Sequence, residues 1–195
     1  MEKEKMNNQL PSGSGGGVRR KISAARVVSL VGIMAATLEC GKLALAALPN
    51  VEVVTLLSAL FGYTFGGIGV LASVVFVCIE PVIWGVGPWV ASYIIYWPTL
   101  TAIFWLLGRR CPSRVVVPTL TALVMTFLFG VLTSLVEVGL FSGSYERFFY
   151  RFGIYYARGL WFYLTQLVTN AVVFPLLFKP ASNFLFKLGT GWRNL

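Results

Sequence analysis

Neither aspartate nor histidine occurs anywhere in the 195 residues. Those two absences remove Ser–His–Asp triads, histidine-bearing metal clusters and imidazole acid–base chemistry together. Cysteine is also scarce. Cys40, Cys78 and Cys111 are scattered, odd in number and form no CxxC pair, which fits free thiols packed as small apolar side chains. The third scarcity is charge. Only 12% of residues are charged, against about a quarter in a soluble domain, while 57% are hydrophobic, 15% are aromatic and mean hydropathy is +0.77. A water-facing surface cannot be assembled from that composition, so lipid is the expected solvent for most of the chain. The glycine-rich GYTFGGIG lacks the Lys-Ser/Thr of a phosphate loop and reads as a turn with close helix packing. Nothing in the chain is equipped to hydrolyse ATP.

What is present is a series of apolar runs. Residues 1–21 read as a basic, Gly/Ser-rich tail that needs no ordered structure. The run that follows ends in Ala44-Leu45-Ala46 and imitates a signal peptide, but Glu39 and Lys42 interrupt it, and it is read as a retained span. On a template of about 20 residues per spanning helix, residues 22–180 are expected to form an all-α bundle of six transmembrane helices. These are placed at 27–48, 51–65, 68–86, 89–107, 115–140 and about 156–178, with 181–195 as a short basic tail. The second helix is short, and Gly62, Gly66, Gly67 and Gly69 mark the turn after it. The alternative fuses the second and third helices into one span. Six spans put Arg19, Arg20, Lys21, Arg26, Arg109, Arg110, Arg114, Lys179, Lys187 and Arg193 on one side; five would split them. The positive-inside bias therefore favours six spans with both termini cytoplasmic. It also explains the net charge of +9 without a nucleic-acid partner.

On this topology Glu39, Lys42, Glu52, Glu80, Glu137 and Arg158 all fall towards the outer side, and the inner halves of the helices are apolar. A charge at the bilayer centre costs roughly 2.5–3.5 kcal/mol on insertion scales, so such groups face a bundle interior or a wet cavity. Glu39 and Lys42, three apart on one helix face, could simply neutralise each other. Taken with Glu80, Glu137 and Arg158, a single outward-facing cavity explains more. Aromatics crowd the same side, and Trp89, Tyr93 and Trp97 recur every four residues, hence on one helix face. An interfacial belt would appear on both sides. Aromatic walls with a few polar groups suit a ring-bearing small molecule, flavin-like, pterin-like or corrin-related. The turns at 48–52, 85–89 and 141–156 are expected to close the mouth.

The stretches PNVEVVTLL, the glycine turn, IEPVIWGVGPWVASYIIYW and the terminal LLFKP occur in one order across roughly residues 25–180. In these the chain resembles the substrate-binding S component of energy-coupling factor transporters, which are bacterial vitamin importers. The resemblance implies a multi-pass, six-helix subunit of the bacterial cytoplasmic membrane that captures a micronutrient with high affinity. It further implies no cofactor, partnership with a membrane coupling protein and two ATP-binding cassette ATPases, and toppling of the subunit in the bilayer. Carried over by position, Asn50 and Glu52 match the first outer turn, Glu80, Trp84, Trp89, Tyr93 and Trp97 the surroundings of the second, and Asn170 an asparagine of the sixth helix. Ser29, Gly32 and Ala36 supply a small-residue face of the kind S components dock on the coupling protein; packing inside the bundle is the other use for it. Where the relatives carry an acidic residue and a histidine on the sixth helix, this chain has Tyr163 and Gln166, so its ligand is expected to differ from theirs.

Two other classes stay open on the residues alone. One is a self-sufficient channel or proton-coupled carrier with the glutamates as proton sites, and it would want polar residues through the inner half. The other is a membrane-embedded transferase or hydrolase using Glu39 and Glu80, and it would want a nucleophile beside them.

Overall fold

The computed structural model describes residues 23–48, 51–110, 115–143 and 145–194, with side chains through residue 189. Among them every regular element is helical: α1 (Ala24–Ala44), α2 (Val54–Phe65), α3 (Gly67–Trp84), α4 (Trp89–Arg110), α5 (Val116–Val136) and α6 (Phe148–Asn194). A π-helical turn, Glu137–Phe141, extends α5. Ser23 caps α1, its hydroxyl accepting the Arg26 backbone N–H at 3.4 Å. Lys42 lies in the last turn of α1, where a positive charge complements the helix dipole.

Five helices, all but α2, are long and apolar enough to cross a membrane. Their outward faces carry Val28, Leu71, Val82, Ile94, Leu120 and Val168 in exposed positions. An apolar coat of that extent is stable only against hydrocarbon, so this is a multi-pass helical membrane protein.

The short helix is the centre of the bundle. At 12 residues, α2 rises only about 18 Å, little more than half the ~30 Å hydrocarbon core. Nine of its residues, from Val54 and Thr55 to Gly62 and Tyr63, are nevertheless buried. It packs against α4, α6, α3 and α1, and α1 reaches the rest of the bundle through α2 and α3. Glycine makes these approaches close. A Cβ on Gly62 would stand 2.2 Å from the Thr101 carbonyl oxygen of α4, and one on Gly69 would stand 2.4 Å from the Phe61 oxygen. Gly66, at φ 62°, adopts a backbone conformation that other residues resist, which turns the chain directly from α2 into α3. The glycine-marked boundary read from the sequence is therefore a real helix break.

The C-terminal helix departs most from expectation. The apolar pattern predicts it at about 156–178, with a loop before and a tail after, yet α6 runs from Phe148 through Pro175 and Pro180 to Asn194. Packing overrides the glycines and prolines at both ends. In the early part, Phe152, Tyr156 and Tyr163 form a ring-to-ring ladder, and Tyr156 also meets Phe127 of α5. In the late part, the Phe186 ring lies 5.9 Å from that of Tyr63, and Ser182 is buried. Residues 148–156 are therefore helix rather than part of a capping turn.

The close packing at α2 is testable. Gly62→Ala should lower the thermal unfolding midpoint in detergent, with an overpacking cost of about 1–3 kcal/mol. Gly153→Ala, whose methyl would meet nothing within 4 Å, should leave it unchanged or slightly raised. Equal melting of the two variants would contradict the described contact.

Candidate binding cavity

Glu39 and Lys42 do not neutralise each other locally. Lys42 instead reaches across to α3 and forms an ion pair with Glu80 Oε2. Glu39 Oε1 accepts a hydrogen bond of 3.2 Å from the Trp84 indole N–H. The Glu80 side chain is completely buried and that of Lys42 is 27% exposed, so the pair runs from the interior towards the surface. Glu39 and Glu80 are the only charged residues buried among the described residues. Each keeps one carboxylate oxygen without a hydrogen-bond partner, Oε2 of Glu39 and Oε1 of Glu80.

Three rings surround the lysine head. Its nitrogen lies 4.9 Å from the ring centre of Trp84, 5.6 Å from that of Tyr93 and 5.9 Å from that of Trp89. The spacing-four pattern on α4 is realised as a continuous aromatic ladder. Trp89 and Tyr93 meet edge to face at 5.0 Å, Tyr93 and Trp97 at 5.7 Å, and Trp97 then meets Phe76 of α3 at 6.1 Å. Gly85, at φ 80°, lets the chain leave α3 immediately after Trp84 and return as α4, which sets the two aromatic walls side by side.

Beside this cluster opens a cavity of about 350 Å³. Its wall is drawn from Lys42 and the turn after α1, from Glu52 and Val54, from Phe76 and Trp84, from Tyr93 and Trp97, and from Phe162 and Gln166. Glu52 has a second duty. Its carboxylate accepts the Thr55 backbone N–H at 2.8 Å and the Thr55 hydroxyl, capping the exposed amides of α2. Asn170, fully buried, donates to Thr126 Oγ1 at 2.9 Å and leaves its carbonyl oxygen unpartnered. The Trp97 indole N–H, in the cavity wall, is also unpartnered.

The structure thus gathers Glu39, Lys42, Glu52, Glu80, Trp84, Trp89, Tyr93, Trp97 and Gln166 in or beside one cavity, with Asn170 buried on α6 one turn beyond Gln166. It does not bring in three others. Glu137 sits on the π turn and accepts a 2.8 Å bond from Tyr155, and Arg158 is exposed on α6. Tyr163 fills the notch between Gly130 and Gly159, its hydroxyl 3.0 Å from that of Thr133, and lines no part of the cavity. The described residues of the expected closing turn at 141–156 contribute nothing to the wall either. Asn50 lies outside the described residues. Sequence reasoning passed over Phe76 and Phe162, each four residues before a polar site residue, Glu80 and Gln166, and hence on the same helix face.

A double-mutant cycle on Lys42→Met and Glu80→Gln should show a coupling of about 1–3 kcal/mol in unfolding free energy, moderated by the partial exposure of the lysine. A coupling near zero would contradict the ion pair. Comparison with protein-family models, with curated proteins and with solved structures finds no match, so the functional reading rests on this geometry and on the sequence motifs.

Proposed function

We propose that this protein is the substrate-capture subunit of a bacterial micronutrient importer of the energy-coupling factor type. It lies in the cytoplasmic membrane with both termini inside, and its cavity opens outward. The observation that carries the reading is the convergence of Lys42, Glu52, Trp84, Tyr93, Trp97 and Gln166, from both sequence ends of the bundle, on one cavity. At about 350 Å³ it falls at the small end of the roughly 300–1,000 Å³ range of small-molecule sites and suits a one- or two-ring molecule rather than a macrocycle.

The remainder of the core supports capture over conduction. Leu38, Ala72, Leu100, Phe104 and Phe174 are buried almost completely. The buried hydroxyls of Ser73 and Thr101 bond to carbonyls of their own helices. A channel or proton-coupled carrier would need a polar path through that region. A captured solute would instead be released after engagement of a coupling protein driven by two ATP-binding cassette ATPases. Ser29, Gly32 and Ala36 are exposed on α1, and a Cβ on Gly32 would meet nothing within 4 Å. That face is spare of bundle packing and available for close helix contact.

The purified full chain in detergent should bind a small ring-containing vitamin without ATP, with Kd below roughly a micromolar. Trp84→Ala and Gln166→Ala should each weaken binding by about tenfold or more, a loss of ~1.4 kcal/mol. Glu137→Gln and Arg158→Ala should change it by less than about threefold. Uptake into proteoliposomes should require the ATPases. No binding across a vitamin panel, or solute flux through the chain alone, would overturn the proposal.

A further inference from the structure

The arrangement around Lys42 says something about the charge of the captured molecule. Three aromatic faces within 6 Å of one ammonium, backed by carboxylates, form the kind of enclosure that recognises organic cations. Here the enclosure is filled from within by a lysine. Lysine is a strongly hydrated head on a flexible stem, and this one is already partly exposed, so it can withdraw to water.

The charge balance points the same way. Two carboxyl groups, Glu39 and Glu80, are buried here, and among the described residues Lys42 is the one cation paired with either. Glu39 Oε2 and Glu80 Oε1 have no donor, and a buried carboxylate oxygen left unpaired is costly. Glu52 adds a further carboxylate to the wall, and Arg158, the other cation expected at this depth, is exposed on α6 and lines no part of it. An anionic ligand would enter a site rich in carboxyl groups whose one ammonium is already engaged. A cation taking the place of the Lys42 head, at the cavity wall, would meet the three rings and lie next to the buried carboxyl groups behind them.

We propose that the site takes an organic cation, a ring compound with a quaternary or protonated nitrogen, which displaces the Lys42 head from the cage of Trp84, Trp89 and Tyr93 and is held by Glu39 and Glu80. The unpartnered Trp97 N–H would meet one acceptor on the same molecule. The inference rests on the capture reading above and narrows it to a class of substrate.

The test is binding of ring compounds that differ in charge to the full-length protein in detergent, read by tryptophan fluorescence and calorimetry. 1-Methylnicotinamide, nicotinamide and nicotinate carry one ring with charges of opposite sign or none; thiamine, pyridoxine and pyridoxal phosphate form a second series. Within whichever series binds, the cation should bind about tenfold or more tighter than its neutral and anionic counterparts. Glu80→Gln should erase that preference. Lys42→Met should hold the cation as tightly or several-fold tighter, because its competitor is gone. Should Lys42→Met fail to fold, the ranking on the unaltered protein decides alone.

Tightest binding by an anion, with loss in Lys42→Met, would overturn the cation assignment and leave capture standing. Where neither series binds, the solute that copurifies is identified by mass spectrometry, and one lacking a cationic nitrogen overturns the assignment equally. No binding and no copurifying solute would remove the capture reading and this inference together.

Discussion

Two carboxylates, Glu39 and Glu80, lie inside a bundle whose outer surface is apolar, and a single ammonium reaches in to them. In water such a pair would contribute little. In a membrane-embedded bundle the carboxylates have no alternative hydration, so removing the lysine would strand charge where it is most expensive. The ion pair therefore ties the end of α1 to the end of α3. It also holds Trp84 where its N–H meets Glu39 and its face covers the Lys42 head. The shape of the cavity follows from that tie, because α1 packs mainly on α3 and α2, and the turn that follows it forms one wall.

Fixing α1 and α3 in register requires something rigid between them and the other helices. The half-length helix α2 serves that purpose because it is buried on nearly all sides, and Gly62 in α2 and Gly69 in α3 let α4 and α3 approach its backbone. Glu52 connects this scaffold to the cavity. By capping the first amides of α2 it settles a carboxylate at the cavity wall, so the same side chain stabilises the central helix and contributes to the field felt by a ligand.

Hydropathy and charge made much of this readable in advance. The apolar runs located α1, α3, α4 and α5 to within a few residues, and the glycine cluster marked the break between α2 and α3, where Gly66 takes a positive φ. The charges inside apolar runs had to be accommodated somewhere, which singled out Glu39, Lys42 and Glu80. Depth in the bilayer is legible from position along a helix, whereas the direction a side chain faces across the bundle depends on how the helices are rotated against one another. Glu137 and Arg158, expected at the same depth, line no part of the cavity, and Lys42 pairs with Glu80, 38 residues on, instead of its helical neighbour Glu39. The length of α6 was hidden for a related reason. Glycine and proline locally disfavour helix, and the aromatic ladder against α5 and the contact of Phe186 with Tyr63 outweigh them.

The buried charges end where the aromatic ladder meets Phe76 and Phe129, and beyond it the hydroxyls of Ser73, Thr101 and Thr126 are turned to carbonyls of their own helices. On the proposed function this one-sidedness limits how a solute can leave. A path through the bundle would have to separate Leu38, Leu100, Phe104 and Phe174 in a close-packed core, which is costly without a polar lining to replace the lost contacts. Moving the whole subunit relative to the bilayer disturbs none of those contacts. It requires instead that the outer surface stay apolar wherever lipid meets it, as Val28, Leu71, Ile94 and Val168 make it, and that the buried carboxylates travel with their counter-ion. Lys42 supplies that counter-ion when the site is empty, and a cationic solute would supply a second when it is full. On that reading, buried carboxyl groups that carry a counter-ion inside an intact apolar bundle suit reorientation in a membrane better than they suit a gated pore.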